Sequence, residues 1–246
     1  MAVWSKLKLE NIKKSFQDLS WYEWLMCAVM VLIAGWAMVQ GFVAGSADGN
    51  PAWLTVVNFI SAVCGVICIF FCAKANISTF VFGLVNTIVY AIYLVYWKIW
   101  GTAALEIFFY IPMNIISWYF WAKHRDSQIS RKTKAKKLQL NQNILIGAAV
   151  LVAGYVCHEV LVQMNGEVPW FDAFTLTIGI VATLLSLLRY REQYIWWIIT
   201  DIISVGMYIA HFDAVYLTKR TIYLIMAVIG WINWSRLQQE RNKSNE

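Results

Sequence analysis

Five side chains in one apolar segment, Gln193, Trp197, Asp201, Ser204 and Tyr208, fall at i, i+4, i+8, i+11 and i+15. At about 100° per residue a helix places all five within roughly 80° of one face. Such a stripe offers recognition. A carboxylate or amide accepts hydrogen bonds from vicinal hydroxyls, and flanking aromatics stack on a flat ring and attract it if it is charged. A second segment carries Ser78, Phe82, Asn86 and Tyr93, with an amide at the position of the acid. Facing each other, the two segments would make an asymmetric polar pocket suited to a nucleoside-like cation. No catalytic residue, metal ligand or cofactor is expected.

Two further faces are polar and aromatic: Tyr110, Asn114, Trp118 and Trp121, and Lys219, Tyr223, Trp231 and Trp234. Trp and Tyr also gather at membrane interfaces as anchors, a role that fits Asn114 poorly. Pro112 removes a backbone donor and predicts a kink that could serve as a hinge. Glu106 and Lys219 are expected near the outer ends of their segments, snorkelling or pairing there. Cys64, Cys68 and Cys72 recur every four residues on one helix face, a spacing for packing; none of the five cysteines forms a CxxC pair.

The elements that carry these residues must lie in lipid. The chain is 60% hydrophobic and 14% charged, with a mean hydropathy of +0.57, too apolar for a water-facing surface. Its apolar blocks are about twenty residues long, the length a helix needs to cross a hydrocarbon core. Eight spans are predicted: Trp21 to Val43, Trp53 to Cys72, Ser78 to Trp97, Thr102 to Ala122, Ile144 to Gln163, Trp170 to Leu188, Tyr194 to Phe212 and Tyr216 to Leu237. A carboxylate at mid-membrane costs about 2.5 to 3.5 kcal/mol, so Asp201 must face protein or water. No cleavable leader is expected, because the first twenty residues are polar and basic.

The net charge of +6 does not point to nucleic acid, because the cations sit between the apolar blocks and at the two ends. With both termini inside, seventeen of the twenty Lys and Arg fall on the inner side, leaving Lys98, Lys219 and Arg220 opposite. The positive-inside rule therefore predicts both termini in the cytoplasm. The basic run from Lys123 to Lys137 is read as an inner loop that fixes topology and can meet anionic headgroups.

The chain also repeats itself. Trp170 follows Trp53 by 117 residues; Trp197, Asp201 and Tyr208 follow Phe82, Asn86 and Tyr93 by 115; Tyr223, Trp231 and Trp234 follow Tyr110, Trp118 and Trp121 by 113. Three consecutive spans thus recur in order, four crossings apart, which makes a parallel repeat. The expected fold is an all-α polytopic membrane protein of eight transmembrane helices. Two parallel three-helix repeats (51–122 and 168–246, the latter with the tail) are joined by a basic loop and linking helix (123–167), after an extra N-terminal helix (1–50). Sites in repeat-built transporters lie near the midplane between the halves.

Residues 192–201, EQYIWWIITD, with Ser204 and Tyr208, resemble the signature helix of the PnuC family of bacterial vitamin transporters, as do Phe82 to Asn86, Tyr110 to Asn114 and Ile229 to Trp231. The resemblance covers about residues 50 to 236. It implies a nicotinamide riboside facilitator in the bacterial inner membrane, of three-plus-one-plus-three fold shared with SWEET sugar transporters, assembled as a homotrimer, with a cytoplasmic kinase trapping the substrate. By position it places Gln193, Trp197 and Asp201 on the substrate and Asn86 and Asn114 opposite. Gln193 and Asn114 each stand where the family carries an amide of the other length, which leaves thiamine or riboflavin open.

Two other classes draw on the same residues. A photoreceptor or intramembrane enzyme could use Lys219 as a Schiff base with Asp201 as counter-ion, but Lys219 lies too near the outer end. A proton-coupled symporter could use Asp201, but the several embedded acids and interrupted helices of ion-coupling sites are missing.

Overall fold

Each apolar block becomes a helix because lipid offers its backbone no hydrogen-bond partner. The computed structural model describes residues 9–44, 51–96, 98, 100–124, 133–164, 169–210 and 214–245. Its helices are α1 (Leu9–Gln17), α2 (Trp21–Ala44), α3 (Ala52–Ala73), α4 (Thr79–Tyr96), α5 (Trp100–Leu105), a π-helical turn Glu106–Tyr110, α6 (Ile111–Lys123), α7 (Leu140–Gln163), α8 (Pro169–Leu187), α9 (Gln193–Ala210) and α10 (Ala214–Asn245). There is no β-strand among the described residues; isolated bridge residues include Asn76 and Thr133, and Lys136 paired with Tyr190. Among the described residues six segments are long and apolar enough to cross a membrane: Trp21–Gln40, Ala52–Ala73, Thr79–Tyr96, Ala103–Lys123, Leu140–Gln163 and Pro169–Leu187. α9 carries Gln193 and Asp201, and α10 carries Lys219 and Arg220 and ends in a polar stretch.

The bundle is inside-out compared with a water-soluble one. Phe108, Leu32 and Leu145 are at least 70% exposed, while Glu23, Gln193, Ser204 and Asp201 are buried. α3 packs most extensively on α4, α7 on α8 and α9 on α10, and α3–α10 and α6–α8 contacts join the first and second parts of the chain.

Two features depart from the sequence expectation. The polar N-terminus forms α1, whose Phe16 packs edge-on against Phe71 and Phe82 at 5.2 and 5.6 Å. The buried Ser15 hydroxyl contacts the Ser78 hydroxyl at 3.0 Å and accepts from Asn76 Nδ2 at 3.0 Å. Ser78, expected to open a span, thus lies in the turn before α4. The expected kink at Pro112 takes a definite form. Ile111 N–H donates to Glu106 O in the wider π pattern, so the missing donor at Pro112 falls where the helix has already been re-phased. The ends expected at Trp97 and Phe212 lie outside the described residues.

The turns after α3 and α8 are built alike. Ala75 and Arg189, 114 residues apart, both take positive φ, 55° and 67°. Asn76 N–H donates to Phe71 O and Ala75 N–H to Cys72 O, while Tyr190 N–H donates to Leu185 O and Arg189 N–H to Ser186 O. Both are Schellman endings, formed here without the usual glycine. The stretch 133–138 ties them together: Thr133 N–H donates to Ala75 O at 2.9 Å and Lys136 N–H to Arg189 O at 2.8 Å. Of the basic run, residues 125–132 lie outside the described residues; this later part is a strap between the two turns.

Candidate functional site

Four members of the expected stripe, Gln193, Trp197, Asp201 and Ser204, have described side chains on α9. Gln193 and Ser204 are fully buried, and neither the Gln193 amide nor the Ser204 hydroxyl has a hydrogen-bond partner among the described residues. Asp201, between them and also buried, accepts from Arg220 Nη1 on α10 at 3.2 Å. Trp197 packs against the aromatic cluster of Phe80, Trp121, Tyr194 and Trp234, as does Trp118 from α6. The Tyr208 side chain lies outside the described residues.

Buried polar groups are almost always satisfied, because each unpaired one costs about 1 to 3 kcal/mol. Two such groups lie on one helix face, on either side of a buried carboxylate.

The opposite wall is only partly as expected. Asn86 Oδ1 accepts from Ser61 Oγ of α3 at 2.8 Å. A methyl group on Gly65 would stand 2.8 Å from the Tyr223 hydroxyl and 3.2 Å from Asn86 Oδ1, so Tyr223 of α10 and Asn86 of α4 converge over that glycine. Arg220 lies 6.0 Å and Lys219 5.6 Å from the Tyr223 ring. Asp201, Arg220 and Tyr223 on one side thus approach Asn86 and Ser61 on the other at Gly65. Lys219 lies within electrostatic reach of Glu106 and, with Asn58, Ser61 and Tyr90, lines a cavity of about 90 Å³ beside α2.

The other expected members have packing and hydrogen-bond partners of their own. Phe82 sits among Phe16 and Phe71 rather than beside Asp201. Tyr93 stacks on Tyr90 at 6.2 Å. Asn114 donates to Tyr110 O at 3.1 Å and Thr87 Oγ1 at 3.4 Å, so its amide braces the π-helical bend against α4. Tyr110 reaches across the halves, its hydroxyl 3.0 Å from where a methyl on Gly179 would lie.

Arg220 is the member that sequence reasoning missed, having been left on the outer side. The signal was present: Asp201 and Arg220 are equidistant from residues 210 and 211, so an antiparallel α9–α10 hairpin brings them level. Ser61 carried no comparable signal, being one small polar residue in an apolar helix.

Apolar helices around a buried, partly unsatisfied polar face make this a membrane transport protein. The profile of the nicotinamide mononucleotide transporter family matches residues 55–236, and the chain belongs to that family, which includes the PnuC proteins. It is 33% identical over 198 residues to the nicotinamide riboside transporter PnuC of Neisseria mucosa, covering 76% of this chain and 74% of the relative. To PnuC of Haemophilus influenzae it is 27% identical over 227 residues, covering 90% of this chain and 92% of the relative. Its fold is similar to a crystal structure of the vitamin B3 transporter PnuC, with a TM-score of 0.75 and 27% identity over 95% of this chain and 99% of that one.

Proposed function

We propose that this protein carries nicotinamide riboside across the bacterial inner membrane by facilitated diffusion, through a site between its two halves on the buried face of α9. The observation that carries this reading is the pair of unsatisfied, fully buried groups, Gln193 and Ser204, flanking Asp201. The names of the PnuC relatives support the choice of ligand.

The chemistry matches group by group. A primary carboxamide offers two donors and an acceptor, which the Gln193 amide complements. Ribose hydroxyls donate to the Asp201 carboxylate and exchange hydrogen bonds with Ser204. The pyridinium ring stacks on Trp197, where a fixed positive charge adds cation–π attraction. Asn86 from the other half, and Tyr223 of α10, close the site.

Transport then requires the halves to rock about this site, with the π-helical turn before Pro112 as the compliant joint. In this reading α9 and α10 cross the membrane too, giving eight spans in the arrangement three, one, three after the extra α2. Both termini are cytoplasmic, with the strap at residues 133–138 on that side. The chain assembles as a trimer, and a cytoplasmic kinase traps the product. The amides at Gln193 and Asn114, of the other length from the family pattern, favour one second reading, a related vitamin such as thiamine or riboflavin.

Calorimetric titration of the purified protein with the three vitamins tests the assignment. Saturable binding of nicotinamide riboside, at least tenfold tighter than the other two, is expected; preferred binding of thiamine or riboflavin would reassign the ligand.

A further inference from the structure

We propose that Arg220 is a resident cation which the positive charge of the substrate displaces from Asp201, so that the site selects cationic nucleosides by exchanging one cation for another. The inference rests on the substrate reading above and deepens it.

The geometry supplies both halves of the exchange. The Asp201 side chain is 3% exposed and cannot be left bare, since an unpaired buried charge is strongly destabilising. Its partner is the more exposed member of the pair. The Arg220 side chain is 31% exposed and meets the carboxylate through one hydrogen bond, Nη1 to Oδ1 at 3.2 Å, rather than the two-pronged pairing that guanidinium and carboxylate form when they lock. Arg220 already stands over the Tyr223 ring, 6.0 Å from its centre, a contact that can hold the guanidinium once Asp201 releases it. The carboxylate in turn lies on the same helix face as Trp197, four residues before, and Ser204, three residues after. A pyridinium stacked on that indole brings its charge to Asp201 while its ribose meets the unpaired hydroxyl.

Exchange has a consequence for transport. A facilitator must return empty as well as cross loaded, and an uncompensated carboxylate would hinder the empty return. With Arg220 seated in the empty site and the substrate seated in the loaded one, Asp201 is neutralised in both, and no coupled ion is required.

The test compares nicotinamide riboside with its uncharged 1,4-dihydro form, nearly the same in shape, by titration calorimetry on four proteins: wild type, Arg220→Gln, Asp201→Asn and the double variant. Exchange predicts that Arg220→Gln raises the preference for the cationic form at least about tenfold, while Arg220→Lys, which keeps a resident cation, holds it within about threefold. Asp201→Asn strands Arg220 beside the site and weakens the cationic form at least about tenfold more than the neutral one, and adding Arg220→Gln recovers much of that loss. Binding of the neutral form reports that each variant is folded. If the double variant binds the cation no better than Asp201→Asn, or if Arg220→Gln shifts both ligands equally, Arg220 is a structural clamp and the exchange is overturned. If the wild type binds neither form, the substrate reading itself falls.

Discussion

The indole of Trp234 donates to the carbonyl of Cys72 at 3.0 Å, across 162 residues of chain. Its counterpart Trp121 donates to Ser186 O at 2.8 Å. Cys72 and Ser186 occupy equivalent places in the two Schellman turns, so each half of the chain caps a helix of the other. The two indoles also meet, 5.2 Å apart.

Replacing either indole by Phe removes one of these bonds. Cys72 O keeps the Tyr194 hydroxyl at 2.9 Å, whereas Ser186 O has no second side-chain donor among the described residues. Trp121→Phe should therefore cost about 1 to 3 kcal/mol and Trp234→Phe less, read as thermal unfolding in detergent. Equal losses would mean that packing, not the bond, sets the cost.

Gly65 is small because Tyr223 and Asn86 converge over it. Gly65→Ala should cost about 1 to 3 kcal/mol by overpacking and weaken substrate binding. Tyr223→Phe, which removes the hydroxyl 2.8 Å from the added methyl, should recover part of the stability. A double variant no more stable than Gly65→Ala would contradict this packing.

Gln193 separates stability from function. Its amide is buried without a partner, so Gln193→Leu should leave unfolding unchanged or raise stability by about 1 kcal/mol, while weakening nicotinamide riboside at least tenfold. Destabilisation with unchanged binding would assign the amide a structural role.

Phe82 should behave in the opposite way. Phe82→Ala opens the cluster that seats α1 through Phe16, costing about 3 kcal/mol and exposing the N-terminal segment to protease. Ligand affinity should stay within about threefold of wild type; a larger loss would return Phe82 to the site.

Much of this organisation was legible in the letters. The apolar blocks gave helices, because backbone satisfaction in lipid leaves no alternative. The matched positions Tyr110 and Tyr223, and Trp121 and Trp234, return as reciprocal contacts: Tyr110 lies over Gly179 and Tyr223 over Gly65, 114 residues apart. The α9 stripe was legible because its period is helical. What escaped depends on tertiary neighbours. Periodicity puts Phe82 and Asn86 on one face, but only the docking of α1 decides that Phe82 packs away from Asn86. Pro112 announces a bend without saying that a π turn absorbs it, and a cation near a helix start such as Arg220 acquires its partner only when the α9–α10 hairpin closes.

The central claim is carriage of nicotinamide riboside, and counterflow in proteoliposomes tests it most directly. Vesicles loaded with unlabelled nicotinamide riboside should take up the labelled compound without any pH gradient, and Trp197→Ala should slow that uptake at least about tenfold. Uptake by the wild type no faster than by protein-free vesicles would contradict the account.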